Sequence, residues 1–266
     1  MSRVLEITRY EGRQKLRASI LLTVGFVGLA ALYIWLFPSI EQSGVDFAQY
    51  LETLPEGFQS AFAVESISTI EGFLAIELYQ FLWLLLFGIY MAYTAGGLVA
   101  EDVEDDRIEL LLATPVSRTR IVFEKFASLG VPILVANALI PFAVVAGVAA
   151  IGESISTVDL LAVHLLSIPY LLACGSVGLL LSVWADRASV AQRGGIVAVF
   201  MLFLVETVSS TADYDWLGAI SPTRYYDPAE ILVDGTYDLA GSLILLTGTV
   251  ALVLLSAAYF QRRDVP

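Results

Sequence analysis

Four ionisable or nucleophilic side chains lie inside or at the ends of long apolar runs of this chain: Glu77, His164, Cys174 and Glu206. Ionisable groups at membrane depth mark ion paths or binding sites. A single histidine and a single cysteine cannot make a zinc site, which needs three or four nitrogen, sulfur or oxygen ligands held together. Glu77, His164 and Glu206 stand near the ends of their runs, within reach of interfacial water. That position favours structural groups at the bilayer edge over a catalytic set. The densest group of chemistry-bearing residues is Glu101-Asp102-Val103-Glu104-Asp105-Asp106-Arg107. The phosphate-binding pattern G-x-x-x-x-G-K-[ST] is absent, so the chain is not expected to bind and hydrolyse ATP in that manner.

The acidic run opens a folded element, residues 101–126. Around Glu109, Ile108, Leu111 and Leu112 fall at i, i+3, i+4 spacing, one face of a short helix. Pro115 stops that helix by removing a backbone donor and biasing Thr114 toward an extended conformation. Ser117 is placed to cap a second helix carrying Arg118, Arg120 and Lys125. The predicted order is helix, break, helix, between two apolar spans.

These elements belong to a membrane protein. With 58% hydrophobic and 15% charged residues over 266 positions, and a mean hydropathy of +0.78, the chain is too apolar for a soluble domain. No polar stretch exceeds about 35 residues, too short for a separate catalytic domain. The expected organisation is one transmembrane domain over 1–266. Six segments are long or apolar enough to cross a bilayer, which takes about 20 residues: 18–37, 78–100, 127–151, 160–184, 194–208 and 239–260. The fifth is short and is expected to begin near Ser189, letting Arg193 snorkel to the interface. The first apolar run lacks a small-residue cleavage site and is expected to remain as an anchor.

Residues 2–17 carry five cations with a partial helical pattern and read as an amphipathic helix on the membrane surface. Counting cations loop by loop places the termini. Residues 2–17, 101–126, the loop holding Arg187 and Arg193, and the C-terminal tail hold thirteen of the fourteen. Positively charged loops stay in the cytoplasm, so both termini are expected there, in a multi-pass plasma-membrane protein. The opposite loops, 38–72, 151–159 and 209–238, sum to the whole formal charge of −13. So acidic an exterior suggests adaptation to high salt.

The first outer loop spaces Phe47, Tyr50, Leu51, Leu54, Phe58 and Phe62 as short amphipathic helices on the bilayer. The last, 209–238, alternates apolar pairs with breaks at Pro222 and Pro228, a pattern of short re-entrant helices that protein must cover. Tyr225 and Tyr226 there, with Glu77 and Glu206, are candidates for a path or outer gate. Gly25/Gly28 and Gly175/Gly178 are spaced for close helix approach.

Six spans, a basic N-terminal helix, IELLLATPVSRTRIVFEKF after the second span, ISPTRYYDPAEIL in the last outer loop and a chain ending FQRRDV together resemble the ABC type-2 permease family over essentially the whole chain. The most specific part is Leu111 to Arg118 followed by Lys125. Family members usually place a Gly with Thr or Ser before the leucines, where this chain has Asp106-Arg107-Ile108. The resemblance implies an all-α membrane protein whose short helix is a coupling helix seated in a cytoplasmic ATPase, braced by the N-terminal helix. Arg107, Ile108, Leu111, Leu112, Pro115, Arg118 and Lys125 would make that coupling. It implies a homodimer or a sister permease in the bilayer, ATP and Mg bound only in the partner subunit, no cofactor in this chain and no nucleic acid. A stand-alone secondary transporter is the alternative, though no acid cluster at mid-span depth and no internal repeat point to it.

Overall fold

The computed structural model describes residues 5–42, 69–112, 116–209 and 215–263. Its described residues are helical throughout their ordered elements, and six stretches are long and apolar enough to cross a membrane. The aromatic pattern of 47–62, Thr114 and Pro115 lie outside the described residues.

Helix α1 runs Glu6–Gln42 without interruption. The expected separation of a surface helix from the first span is therefore absent. Gln14, Lys15, Leu16, Arg17 and Ala18 are all good helix formers, and nothing between them stops propagation. At 1.5 Å per residue the rod is about 55 Å long, against a hydrocarbon core of about 30 Å, so it projects well beyond the bilayer.

Helix α2, Ile70–Glu104, extends the expected second span at both ends. Thr69 caps it by accepting from Gly72 N at 3.2 Å. After one α-helical stretch, Ala75–Phe87 winds as a π-helix before α-helix resumes at Gly88. π-Helix occurs mostly as single turns at functional sites, so a stretch of 13 residues is unusual. Along it Tyr79, Trp83 and Phe87 form one file of aromatic rings, tilted and edge-to-face, with Trp83 and Phe87 centroids 5.0 Å apart.

Helix α3 is Arg107–Leu112, entered through Asp106 at φ 56, a left-handed position that Asp tolerates. Helices α4 (Arg118–Ala127) and α5 (Gly130–Ala150) form the third span, α6 (Thr157–Trp184) the fourth and α7 (Ala188–Ser209) the fifth. The fifth begins at Ala188, which supplies the length that 194–208 lacked. Short helices α8 (Asp215–Gly218), a 3-10 turn (Pro222–Tyr225) and α9 (Pro228–Leu232) precede α10, Leu239–Arg262.

Helices α2 and α6 form the buried centre, with 67% and 61% of their most apolar window covered by protein, against 28% for α1 and 22% for α7. Glycine makes this close packing workable. A Cβ at Gly178 of α6 would collide with the Ala92 carbonyl of α2, and one at Gly195 of α7 would meet the same carbonyl at 2.9 Å. Gly25 and Gly28, by contrast, face open space.

Candidate functional site

The acidic residues Glu101, Asp102 and Glu104 form the last turn of α2, where the carbonyl ends of the helix already concentrate negative charge. Like charge there is unfavourable unless cations or helix N-termini offset it. Three groups do. Lys125 of α4, only 2% exposed, lies 2.7 Å from Asp102 Oδ2 and 2.6 Å from Glu11 Oε1 of α1. Arg107 reaches Asp102 at 3.3 Å and Asp105 at 2.9 Å. The N-terminus of α7 presents Ala188 N, which donates to Glu104 Oε2 at 2.8 Å. Gln192, one turn further along α7, donates to Glu101 at 2.9 Å.

Helix α4 also anchors the start of α1. Glu124 Oε2 accepts from Ile7 N at 2.9 Å, and the Thr8 hydroxyl donates to the Glu124 carbonyl at 2.8 Å. A carboxylate at a helix N-terminus meets unpaired N–H groups and the positive end of the dipole. Arg120 holds the other Glu124 oxygen at 2.6 Å. Ser117 caps α4 as the sequence predicted, accepting from Arg120 N at 3.3 Å.

Two arginines close the ring on the far side. Arg118 donates to the carbonyls of Phe260 (3.2 Å) and Arg263 (2.5 Å) at the C-terminal end of α10, with its guanidinium 5.6 Å from the Phe260 ring centroid. Arg263 donates to the Val183 (2.6 Å) and Ala185 (3.1 Å) carbonyls at the end of α6 and pairs with Asp186. Cations at helix C-termini satisfy terminal carbonyls that have no intrahelical partner. Helices α1, α2, α4, α6, α7 and α10 are thus tied together at this cation-rich end by charge. A cavity of about 650 Å³ opens among α1, α2 and α7, with Tyr10, Lys15, Tyr90, Tyr93 and Glu101 on its walls.

Helix α3 hangs beside this frame. Ile108 is 1% exposed and belongs to the main apolar core, and Leu111 packs against that core. Ile108, expected among the coupling residues, points into the protein, because a six-residue helix leaving α2 through a tight turn buries its apolar side on the parent helix. Arg107 and Glu109 are exposed. The side chain of Leu112 and Pro115 lie outside the described residues.

At the opposite, acidic end the bonds are of a different kind. Tyr226, buried, donates to the Val163 carbonyl at 2.9 Å and stacks on Tyr170 at 5.6 Å. Tyr170 donates to the Leu84 carbonyl of the π-helical stretch at 3.0 Å. Tyr225 donates to the Ala219 carbonyl at 2.8 Å, within its own loop. Asp227 caps α9 by accepting from Ala229 N at 2.8 Å. A cavity of about 240 Å³ brings Glu206 and Tyr226 together with Arg224, Asp227 and Glu230. Glu77 and Tyr225 do not line it.

His164 is buried and fully used. Asn137 donates its amide to the Ile133 carbonyl at 2.8 Å, which leaves Asn137 Oδ1 as acceptor for the histidine Nδ1–H at 3.3 Å. Nε2 then accepts from the Tyr79 hydroxyl at 3.1 Å. No group of three or more histidine, cysteine or carboxylate side chains is arranged to hold a metal among the described residues. Cys174 is buried and free.

A family model described as ABC-2 family transporter protein matches residues 7–265. The chain belongs to the ABC-2 transporter family. No curated protein sequence gives a match. Membership makes this multi-pass protein the membrane subunit of an ABC transporter, a permease and not the catalytic component. Of the positions singled out from sequence in this ABC-2 permease, Arg107, Arg118 and Lys125 come together in the charged frame, whereas Ile108 and Leu111 sit in its core. Sequence reasoning missed Glu11, Glu124 and Arg263. Each carries a signal only in hindsight of the fold, a charged residue lying where a helix end needs a partner.

Proposed function

We propose that this permease is half of the membrane part of an ATP-driven exporter, paired with a second copy or a sister subunit and driven by separate ATPase subunits that carry ATP and Mg. The cation-rich end faces the cytoplasm with both termini, in keeping with the positive-inside bias. The observation that carries this reading is α3: a short helix held to the core by Ile108 and Leu111, with Arg107 and Glu109 on its exposed side, and joined through Asp102 and Lys125 to α1 and α4. A partner that moves α3 moves a packed, ion-paired unit and not a loose loop, which is what transmission between two discrete states requires. Arg118 and Lys125 serve the rigidity of that unit, while the exposed side of α3 sets register with the ATPase.

Co-purification from membranes tests the proposal. Wild-type permease should bring an ATPase subunit with it and stimulate its ATP hydrolysis. Glu109→Lys combined with Leu112→Asp should lose both, with the permease still folded. Association and stimulation that survive these changes would remove α3 from the coupling role.

A further inference from the structure

The cations of α1 divide into two sets. Lys15 points into the protein and pairs with Glu11 at 2.6 Å. Arg9, Arg13 and Arg17 are exposed, and among the described residues their side chains have no ion-pair partner. Every other arginine or lysine of the charged frame, Arg107, Arg118, Arg120, Lys125 and Arg263, is engaged within the chain. The three arginines recur every four residues. At about 100° per residue they occupy an arc of about 80° on α1, and the same face continues upward through Ile20, Leu21, Val24 and Trp35. Those four are all exposed large apolar side chains. An apolar face left open by the bundle, with cations where the span ends, is one that lipid can cover.

The lengths agree. From Arg17 to Trp35 the helix rises about 27 Å, close to the thickness of the hydrocarbon core. With Trp35 at one interface, where aromatic residues concentrate, Arg17 stands at the other. Arg13 and Arg9 follow about 6 and 12 Å further out, through the headgroup layer and its adjoining water. Glu6 shares this face one turn beyond and is engaged elsewhere. The buried side of α1, with Phe26, Ala30 and Ile34, adjoins this face and packs into the bundle.

We propose that Arg9, Arg13 and Arg17 form a ladder that binds the headgroups of anionic phospholipids on the lipid-facing side of α1. Guanidinium groups bind phosphate through paired hydrogen bonds as well as charge. Because the opposite face of the same turns holds Glu11 against Lys125, lipid bound here fixes the register of the rod that braces the charged frame. The inference needs α1 to span a membrane and does not depend on the ATPase coupling.

Purified permease without an ATPase, reconstituted in phosphatidylcholine vesicles containing a small amount of spin-labelled phosphatidylglycerol, reports lipid held at its surface as a motionally restricted component of the spectrum. Wild type should retain the labelled anionic lipid in preference to labelled phosphatidylcholine, with the preference reduced by molar salt. Each arginine near an anionic surface contributes roughly a five-fold change in association, so the variant Arg9→Gln/Arg13→Gln/Arg17→Gln should lose most of the preference. A control that removes as many exposed cations, Arg187→Gln/Arg193→Gln/Arg262→Gln, should keep it. Equal loss in both variants would reduce the ladder to general surface charge and overturn the proposal. So would an absence of preference in wild type, including the case in which the triple variant instead fails to retain an ATPase, which would assign the arginines to a protein partner. Thermal unfolding of both variants in the same vesicles separates lost binding from lost fold.

Discussion

The two ends of the bundle are held by different chemistry. At the cation-rich end, carboxylates and cations cross between six helices and meet helix termini, so that Lys125 alone joins α1, α2 and α4. At the acidic end, tyrosine hydroxyls donate to helix carbonyls, Asp227 and Asp238 cap helices, and Glu206 and Glu230 share one cavity with Arg224. A buried ion pair is costly to form and costly to break, and it acts over a narrow geometric range. A tyrosine hydrogen bond adds about 1 kcal/mol and leaves the ring packing intact when removed. The contrast assigns rigidity to the end where α3 leaves the bundle and adaptability to the end where the short helices α8 and α9 lie.

The largest test of that contrast is Lys125→Met. It removes a buried cation from two carboxylates, although Glu11 keeps Lys15 and Asp102 keeps Arg107. A loss of about 3 kcal/mol is expected, within the range for a broken buried pair, measured as a lowered unfolding midpoint of the reconstituted protein. Adding Asp102→Asn should recover part of the loss, since one uncompensated charge then disappears. A cost below about 1 kcal/mol, the size of an exposed pair, would mean that water reaches this frame and that the two ends do not differ in rigidity.

At the acidic end, Tyr226→Phe should cost about 1 kcal/mol, because the ring stays stacked on Tyr170 while the hydroxyl's bond to the Val163 carbonyl is lost. Tyr170→Phe should cost a similar amount through the Leu84 carbonyl. Tryptophan fluorescence or thermal unfolding can measure both, and the pair of variants together gives their coupling. Losses as large as that of Lys125→Met would make the tyrosine file an equal lock and erase the asymmetry.

The six spans, their approximate ends and the Ser117 cap were legible because long apolar runs and single capping residues are local signals. The Gly175/Gly178 pair also reported a real close approach, through Gly178 against Ala92. What stayed hidden is non-local. Glu124 and Ile7 are more than a hundred residues apart, and no periodicity connects them. The partners of the acidic run 101–106 were hidden too, because sequence cannot show that α2 stays helical to Glu104 and delivers those acids to Lys125 and to the start of α7. The burial of Ile108 was hidden for a related reason. An i, i+3, i+4 stripe states that one face is apolar, and it is silent on whether that face is covered by a partner or by the parent helix. The continuity of α1 was open to reading in its helix formers, but the cations of 2–17 argued for a change of direction that the backbone does not make.

The smallest expected effect concerns Glu230, beside the acidic-end cavity. Burial raises its pKa, and the neighbouring Asp227, Asp234 and Asp238 raise it further. A carboxyl whose pKa is higher in the folded protein than in the unfolded chain binds its proton more tightly when folded. Its contribution to stability is therefore complete below the ordinary glutamate range and is lost as pH rises through the raised value. Glu230→Gln keeps the side chain's shape without the charge, so it should stabilise the protein slightly at neutral pH and leave it unchanged in acid. Molar salt, by screening the same carboxylates from one another, should shrink the gain. The comparison of the two ends predicts the reverse response at the cation-rich end, where Glu11→Gln should weaken the protein most at neutral pH. Unfolding midpoints of the two variants across pH and salt should then move in opposite directions; a Glu230→Gln variant that loses stability at neutral pH would place a cation against Glu230 and make the acidic end a charged lock like the other.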